Sequence, residues 1–224
     1  MQEHAPPRNF VQRLWYLGVQ STCHIFCVLV FRYRCFGSNR IPKSGAVLLL
    51  TNHQSHLDPV LMGIACQRRM NYLARKTLFD VPVLGWIIHS VGGISIDRDG
   101  PGLAGIKETL RRLRRGEMVL LFPEGRRTDD GEVGPLKPGF CALARRGDVT
   151  LLPVGIDGSY DVWPRARLLP RRGRINVWIG HPIGPEEVGQ HSDEQLIDLI
   201  RRRMKACQMA AREKLGHRQQ PKGG

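Results

Sequence analysis

Short aliphatic runs alternating with segments of helical spacing narrow this chain to one class of fold. AVLLLT (46–51), NYLA (71–74), GISID (93–97), EMVLLF (117–122), TLLPVGI (150–156) and RINVWIG (174–180) read as strands. Between them, PVLMGIACQ (59–67), VPVLGWIIHSV (81–91), GLAGIKETLRRLRRG (102–116) and GFCALARRG (139–147) read as helices. In the third of these, Leu103, Ile106, Leu110 and Leu113 share one face and Gly116 ends the pattern. Asp58 stands where a cap for the first would stand, with Pro59 in its first turn. Ser192 with Gln195 forms a capping box for a helix running to about Leu215. Pro153 inside an apolar run predicts an edge strand or a bulge. The alternation predicts an α/β fold with a mixed, largely parallel β-sheet flanked by helices, and 224 residues suit one domain.

In such sheets the loops leaving the strands' carboxyl ends carry the chemistry. The first, TNHQSHLDPV (51–60), brings His53 to the end of a buried strand and Asp58 five residues on. If the chain folds back, Asp58 accepts from one imidazole nitrogen and the other faces a cleft as a general base. Imidazole, which ordinarily titrates near ~6.5, suits proton abstraction at neutral pH. The spacing alone is equally met by Asp58 as a plain helix cap. A metal site would need ligands beyond His53 and His56, and no second His, Cys or Asp cluster is visible in the sequence.

The second loop is FPEGRRT (122–128). Pro123 and Gly125 enforce a tight exit, and Glu124, Arg126 and Arg127 emerge at the same sheet edge as His53. An arginine fork there suits a phosphate, against the plainer alternative of a charged turn. Arg98, in GGISIDRDG (92–100), and Lys76, in ARKTLF (74–79), are further candidate anion contacts; the plainer alternative is a surface salt bridge for Arg98 and a solvated charge for Lys76. LKPGF (136–140) and LLPVGIDGSY (151–160) read as structural, near the site but not in it.

The charge is lopsided, 34 Lys and Arg against 20 Asp and Glu for a net +14, which attracts polyanions. A nucleic-acid module would interleave aromatics on that basic surface. Only 7% of residues are aromatic, and many sit in the apolar N-terminal segment, so nucleic acid is not an expected partner. The six cysteines form no CxxC pair, which predicts reduced, mostly buried thiols in a cytosolic compartment.

Residues 1–36 have the composition of a helix, or helix pair, lying in a membrane interface. Phe10, Leu14, Leu17, Ile25, Phe26, Leu29 and Phe31 are apolar, Arg8, Arg13, Arg32 and Arg34 bracket them, and Trp15, Tyr16 and Tyr33 lie nearby. Gln20, Ser21, Thr22 and His24 interrupt the run, so it falls short of a clean span of ~20 apolar residues. The expected organisation is a membrane-associating segment (1–36), a catalytic domain (37–216) and a disordered tail (217–224).

In this order and at this spacing the segments resemble the glycerolipid acyltransferase family, of the lysophosphatidic acid acyltransferase type. The family's NHxSxxD is matched by Asn52, His53, Ser55 and Asp58, and GxIFIDR by GGISIDR (92–98), with Ser95 where a bulky apolar residue is usual. FPEGTRS is matched by FPEGRRT, with Arg126 for the threonine and Thr128 for the serine, and V/L-P-V by LLPVGI. WPRARLLPRRGRINVWIGHPI (163–183) is similar to the family's basic loop and the strand after it. The resemblance covers roughly residues 40–185.

That resemblance implies transfer of a fatty acyl chain from a thioester to the free hydroxyl of 1-acyl-glycerol 3-phosphate. His53 is the base and Asp58 orients it; Lys76, Arg98 and Arg127 hold the acceptor phosphate, with Glu124 and Gly125 shaping that pocket. It implies no cofactor, no metal and no covalent acyl-enzyme. The donor is acyl-CoA or acyl-carrier protein, and the place is the cytoplasmic face of a membrane rich in anionic lipid, held peripherally or monotopically. Glycerol 3-phosphate or another lysolipid is the alternative acceptor, and Arg126 is where that difference would be written. A non-catalytic lipid-binding relative would lack the base or its partner, and both are present.

Overall fold

The computed structural model describes residues 10–75, 79, 80, 85, 88, 93–96, 103–146 and 148–216. It contains a sheet of strands β1 (Arg34–Phe36), β2 (Ala46–Thr51), β3 (Met70–Arg75), β4 (Gly93–Ile96), β5 (Met118–Leu121), β6 (Val149–Asp157) and β7 (Asn176–Ile179). Their order is β1-β7-β6-β2-β5-β3-β4. Every pairing is parallel except β6 with β7. Helices α1 (Phe10–Phe31), α2 (Asp58–Ala65), α3 (Leu103–Arg114), α4 (Gly139–Ala144), α5 (Ser159–Val162), α6 (Pro185–Gly189) and α7 (Asp193–Leu215) connect and cover it. The mixed, largely parallel sheet flanked by helices is the expected architecture. The helix expected over 81–91 lies largely outside the described residues.

The aliphatic runs follow from burial on both faces, where a strand need not alternate with polar residues. On β2, Val47 and Leu49 enter one core with Leu152, Val154 and Ile156 of β6, Leu61 of α2 and Cys27 and Phe31 of α1. Leu48 and Leu50 point to the other face and meet Leu110 of α3, Phe140 of α4 and Leu196, Ile200 and Met204 of α7. The helix α7 lies directly on β6: a Cβ on Gly155 would clash with the backbone of Cys207 and Gln208. The predicted capping box opens α7, with Ser192 Oγ accepting from Gln195 N at 3.3 Å and Gln195 Oε1 from Ser192 N at 2.8 Å.

Of two local expectations, one is narrowed and one is corrected. Pro153 is not on an edge strand, since β6 sits between β7 and β2 with Pro153 in register opposite Leu50. It does stand at a bulge, where the antiparallel pairing slips by one residue between Val154 with Ile179 and Leu151 with Ile183. The Pro153 carbonyl accepts from Gly180 N (2.9 Å), one residue beyond the end of β7, and the pairing resumes at Leu151 with Ile183, so the proline nitrogen, which cannot donate, falls where the ladder is interrupted. Asp58 is not the cap of α2. Leu57 holds that position and makes no side-chain cap bond, while Asp58 is the first helical residue, followed by Pro59.

The N-terminal segment forms one continuous helix, not a pair. Gln20, the polar break in the run, donates through Nε2 to the carbonyls of Gly63 and Cys66, both at 2.8 Å, and fastens α1 to the end of α2. Cys27 and Phe31 are buried on that stripe, whereas Phe10, Leu14, Leu17, Ile25, Phe26 and Leu29 are exposed. The window Leu14–Phe31 is long and apolar enough, by length and composition, to cross a membrane. All six cysteines are free, and burial pushes Cys66 up to about 12 and Cys27, Cys35, Cys141 and Cys207 up to about 11, which keeps them as inert thiols.

Candidate active site

The strand β2 ends at Thr51, and the next residue extends its pairing by side chain. Asn52 Nδ2 donates to the carbonyl of Ile156 and Asn52 Oδ1 accepts from Ile156 N, both at 2.8 Å. This amide does for β6 what another strand residue would do, and it fixes the exit of the loop. His53 follows. Its Nδ1 is 2.8 Å from Asp58 Oδ2, so Nδ1–H donates to the carboxylate and Nε2 is the nitrogen left for a substrate.

Asp58 is fully buried and held from several sides. Oδ2 also accepts from the backbone N–H of Gln54 (2.6 Å) and Ser55 (2.7 Å), and Oδ1 from Ser159 Oγ (2.8 Å). The two backbone donors explain its place in the sequence: the carboxylate closes the turn that precedes α2. Outside this ring, Gln54 Nε2 and Gln208 Nε2 both donate to the carbonyl of Gly131 at 2.6 Å, and Gln54 Oε1 accepts from Tyr160 N at 3.3 Å. The imidazole itself is 18% exposed and stacks on Phe122 with centroids 4.0 Å apart.

The loop after β5 is tied to this one through Thr128 N, which donates to the carbonyl of His53 at 2.8 Å. Its tight exit is the expected one: Gly125 has φ +71°, and its N–H donates to the carbonyl of Phe122 at 3.0 Å. The Glu124 side chain turns inward and is 7% exposed. Burial pushes its carboxyl up to about 7, against the pull of donors at Gly134 and His53 N–H. Burial, and after it the nearby charge of Arg127, lowers His56 from its ordinary value. Arg126 does not extend this cluster; it is largely exposed and pairs with Asp129 at 3.1 Å.

Of the expected site residues, His53, Asp58, Glu124, Gly125 and Arg127 are therefore brought together at the carboxyl ends of β2 and β5. Lys76 and Arg98 lie outside the described residues. Among those described, no group of three or more His, Cys, Asp or Glu side chains converges as a metal site requires.

Several participants were not singled out from sequence. Ser159, Gln54, Phe122 and Gln208 hold the dyad. Lys137 folds over Gly125, with its Cε 2.9 Å from where a Cβ would stand. Trp163 receives Ser55 Oγ on its carbonyl at 2.8 Å and packs against His56. The available signal was topological: DGSY follows the end of β6, and LKPGF follows the loop after β5.

A family model described as Acyltransferase matches residues 32–157. A 1-acyl-sn-glycerol-3-phosphate acyltransferase of Bacillus subtilis is 26% identical over 151 residues, 67% of this chain and 73% of that protein. One of Pseudomonas aeruginosa is 32% identical over 170 residues, 74% of this chain and 64% of that protein. The chain spans about half the length of a chloroplastic relative of the same description from Arabidopsis thaliana, 48% of it at 25% identity. The crystal structure of the 1-acyl-sn-glycerophosphate acyltransferase PlsC from Thermotoga maritima shares the fold, with a TM-score of 0.80 at 24% identity over 96% of this chain and 86% of that one.

Proposed function

Because this chain belongs to the acyltransferase family, we propose that it moves a fatty acyl chain from an acyl thioester to the free hydroxyl of 1-acyl-glycerol 3-phosphate and so forms phosphatidic acid. The observation that carries this reading is the His53–Asp58 pair, with Nδ1 engaged by a buried carboxylate and Nε2 left for an acceptor hydroxyl. His53 Nε2 takes the hydroxyl proton as the oxygen attacks the thioester carbonyl. The tetrahedral intermediate collapses with loss of the C–S bond, and the imidazolium returns its proton to the departing thiolate. Asp58 stabilises the imidazolium and keeps the ring in place. No acyl-enzyme and no metal takes part.

Arg127, with Lys76 and Arg98, holds the acceptor phosphate, and Glu124 and Gly125 shape that pocket. Positioned base catalysis contributes about 10²–10⁴-fold; aligning two bound substrates contributes much of the rest. The acceptor resides in a bilayer, so the exposed apolar face of α1, within the 1–36 segment, lies in the membrane interface on the cytoplasmic side, and residues 37–216 work from that surface. The donor is acyl-CoA or acyl-carrier protein.

The test is a transfer assay with purified protein, vesicles, 1-acyl-glycerol 3-phosphate and a labelled long-chain thioester of each donor type. Labelled phosphatidic acid is the expected product. Its absence with both donors, alongside product from glycerol 3-phosphate or another lysolipid, would replace the acceptor; absence with every acceptor would remove the transferase reading.

A further inference from the structure

At the β1 end of the sheet, a cavity of about 190 Å³ is lined by Arg32, Arg34, Arg174, Asn176, Lys214 and Leu215. Asn176 and Leu215 are buried, and the four cations are exposed around them. They come from four places in the chain: the residue after α1, the first of β1, the approach to β7 and the last turn of α7. The backbone holds three of these segments together, with Ile175 N donating to the carbonyl of Phe31 and Arg34 N to that of Ile175, both at 3.1 Å. Asn176 Nδ2 donates to the carbonyl of Ala211 at 3.0 Å and ties the floor to α7.

Helix ends do not account for this much charge. The C-termini of α1 and α7 adjoin the cavity, and each carries about −0.5 of a charge. Against four cations that leaves about +3, with no carboxylate in the lining. None of the four makes an ion pair among the described residues. Exposed like charges gathered around one concavity attract an anion. Pockets for drug-sized ligands run to roughly 300–1,000 Å³, so this one suits a phosphate with a small substituent and not a nucleotide. Guanidinium groups are matched to phosphate oxygens. The strand β1 lies three strand spacings, about 14 Å, from β2, so this is not where the acceptor phosphate sits while its hydroxyl reaches His53.

We propose that this cavity binds the phosphate of an anionic phospholipid headgroup, which registers the protein on the bilayer beside α1. The proposal rests on α1 lying in the membrane interface, since Arg32 is the first residue beyond that helix.

The test measures binding of the full chain to phosphatidylcholine vesicles with and without phosphatidic acid, with soluble glycerol 3-phosphate as a separate titrant. Neutralising two juxtamembrane cations should weaken binding about 30-fold, roughly five-fold for each. Arg174→Gln with Lys214→Gln is therefore expected to weaken binding to the anionic vesicles about 30-fold and to leave binding to phosphatidylcholine alone unchanged. Arg146→Gln with Lys205→Gln removes the same charge outside the cavity and should cost much less. Equal losses from both pairs would mean diffuse attraction and would overturn the site. Leu14→Ser with Ile25→Ser and Leu29→Ser tests the docking of α1 separately, by loss of binding to all vesicles. If that variant binds normally while the Arg174/Lys214 pair does not, the α1 reading fails and, with it, the registration beside α1, leaving only a phosphate site in the cavity. Saturable binding of glycerol 3-phosphate that depends on Arg174 and Lys214 would identify a free phosphate ester as the source. Dependence on those two residues with neither ligand would remove the proposal.

Discussion

Ser159 Oγ lies 2.8 Å from Asp58 Oδ1 across 101 residues of chain, and it is also 3.0 Å from Gln54 Oε1. A hydroxyl has one proton, and the charged oxygen at the shorter distance is the better acceptor. Ser159→Ala leaves a buried carboxylate oxygen without its donor, which costs about 1–3 kcal/mol of stability. The residue is fully buried and positions Asp58 from behind. Steady-state kinetics should therefore show kcat lowered about ten-fold, a loss on the order of 1.4 kcal/mol, with KM nearly unchanged. A raised KM at constant kcat would instead place Ser159 against the acceptor.

His53→Ala removes the proposed base. Turnover should fall by about 10²–10⁴-fold, while thermal melting falls less than in Ser159→Ala, because Asp58 Oδ2 keeps the N–H donors of Gln54 and Ser55 and the ring is partly exposed. Asp58→Asn keeps the shape but removes the charge that stabilises the imidazolium, and it should lower kcat over the same range. Activity of His53→Ala near that of the parent chain would eliminate His53 as base.

The two residues just compared were legible because they are local. His53 and Asp58 are five apart, and the aliphatic run of β2 marks where the turn between them begins. The partners of Asp58 were not legible in the same way. Ser159 comes from the far end of β6, and Gln208, which reaches the network through Gly131, comes from α7. Neither has a sequence pattern of its own, since their roles exist only after the sheet has formed. Pro153 was half legible: it marks the bulge, but nothing local says that β7 covers that side of β6 and makes the strand an inner one. Gln20 interrupts the apolar run in the sequence, but its partners, two carbonyls at the end of α2, were not legible for the same reason as those of Asp58.

Asn52 gives a stability test that is independent of catalysis. It is fully buried, and its side chain satisfies both the N–H and the carbonyl of Ile156. Asn52→Ala leaves both groups unpaired in the core. At about 1–3 kcal/mol for each buried unsatisfied group, chemical denaturation should show a loss of about 2–6 kcal/mol, with faster amide exchange at Ile156. A loss under about 1 kcal/mol would mean that water replaces the amide.

Glu124 makes stability depend on pH in the direction opposite to an ion-paired acid. Its folded-state value is about 7 against an ordinary 4.5, with burial as the main cause. Between those two values the folded chain holds a proton that the unfolded chain has released. The contribution is therefore fully present below pH 4.5 and is lost as pH rises through about 7. A difference of that size corresponds to an effect on the order of 3 kcal/mol. Glu124→Gln keeps the shape and the buried amide oxygen that accepts from Gly134 N, and it cannot ionise. Denaturation curves of the two chains should diverge as pH rises from 5 to 8, with the parent losing stability relative to Glu124→Gln. Parallel curves across that window would show that Glu124 is already ionised in the fold, held by Arg127 or by its backbone donors.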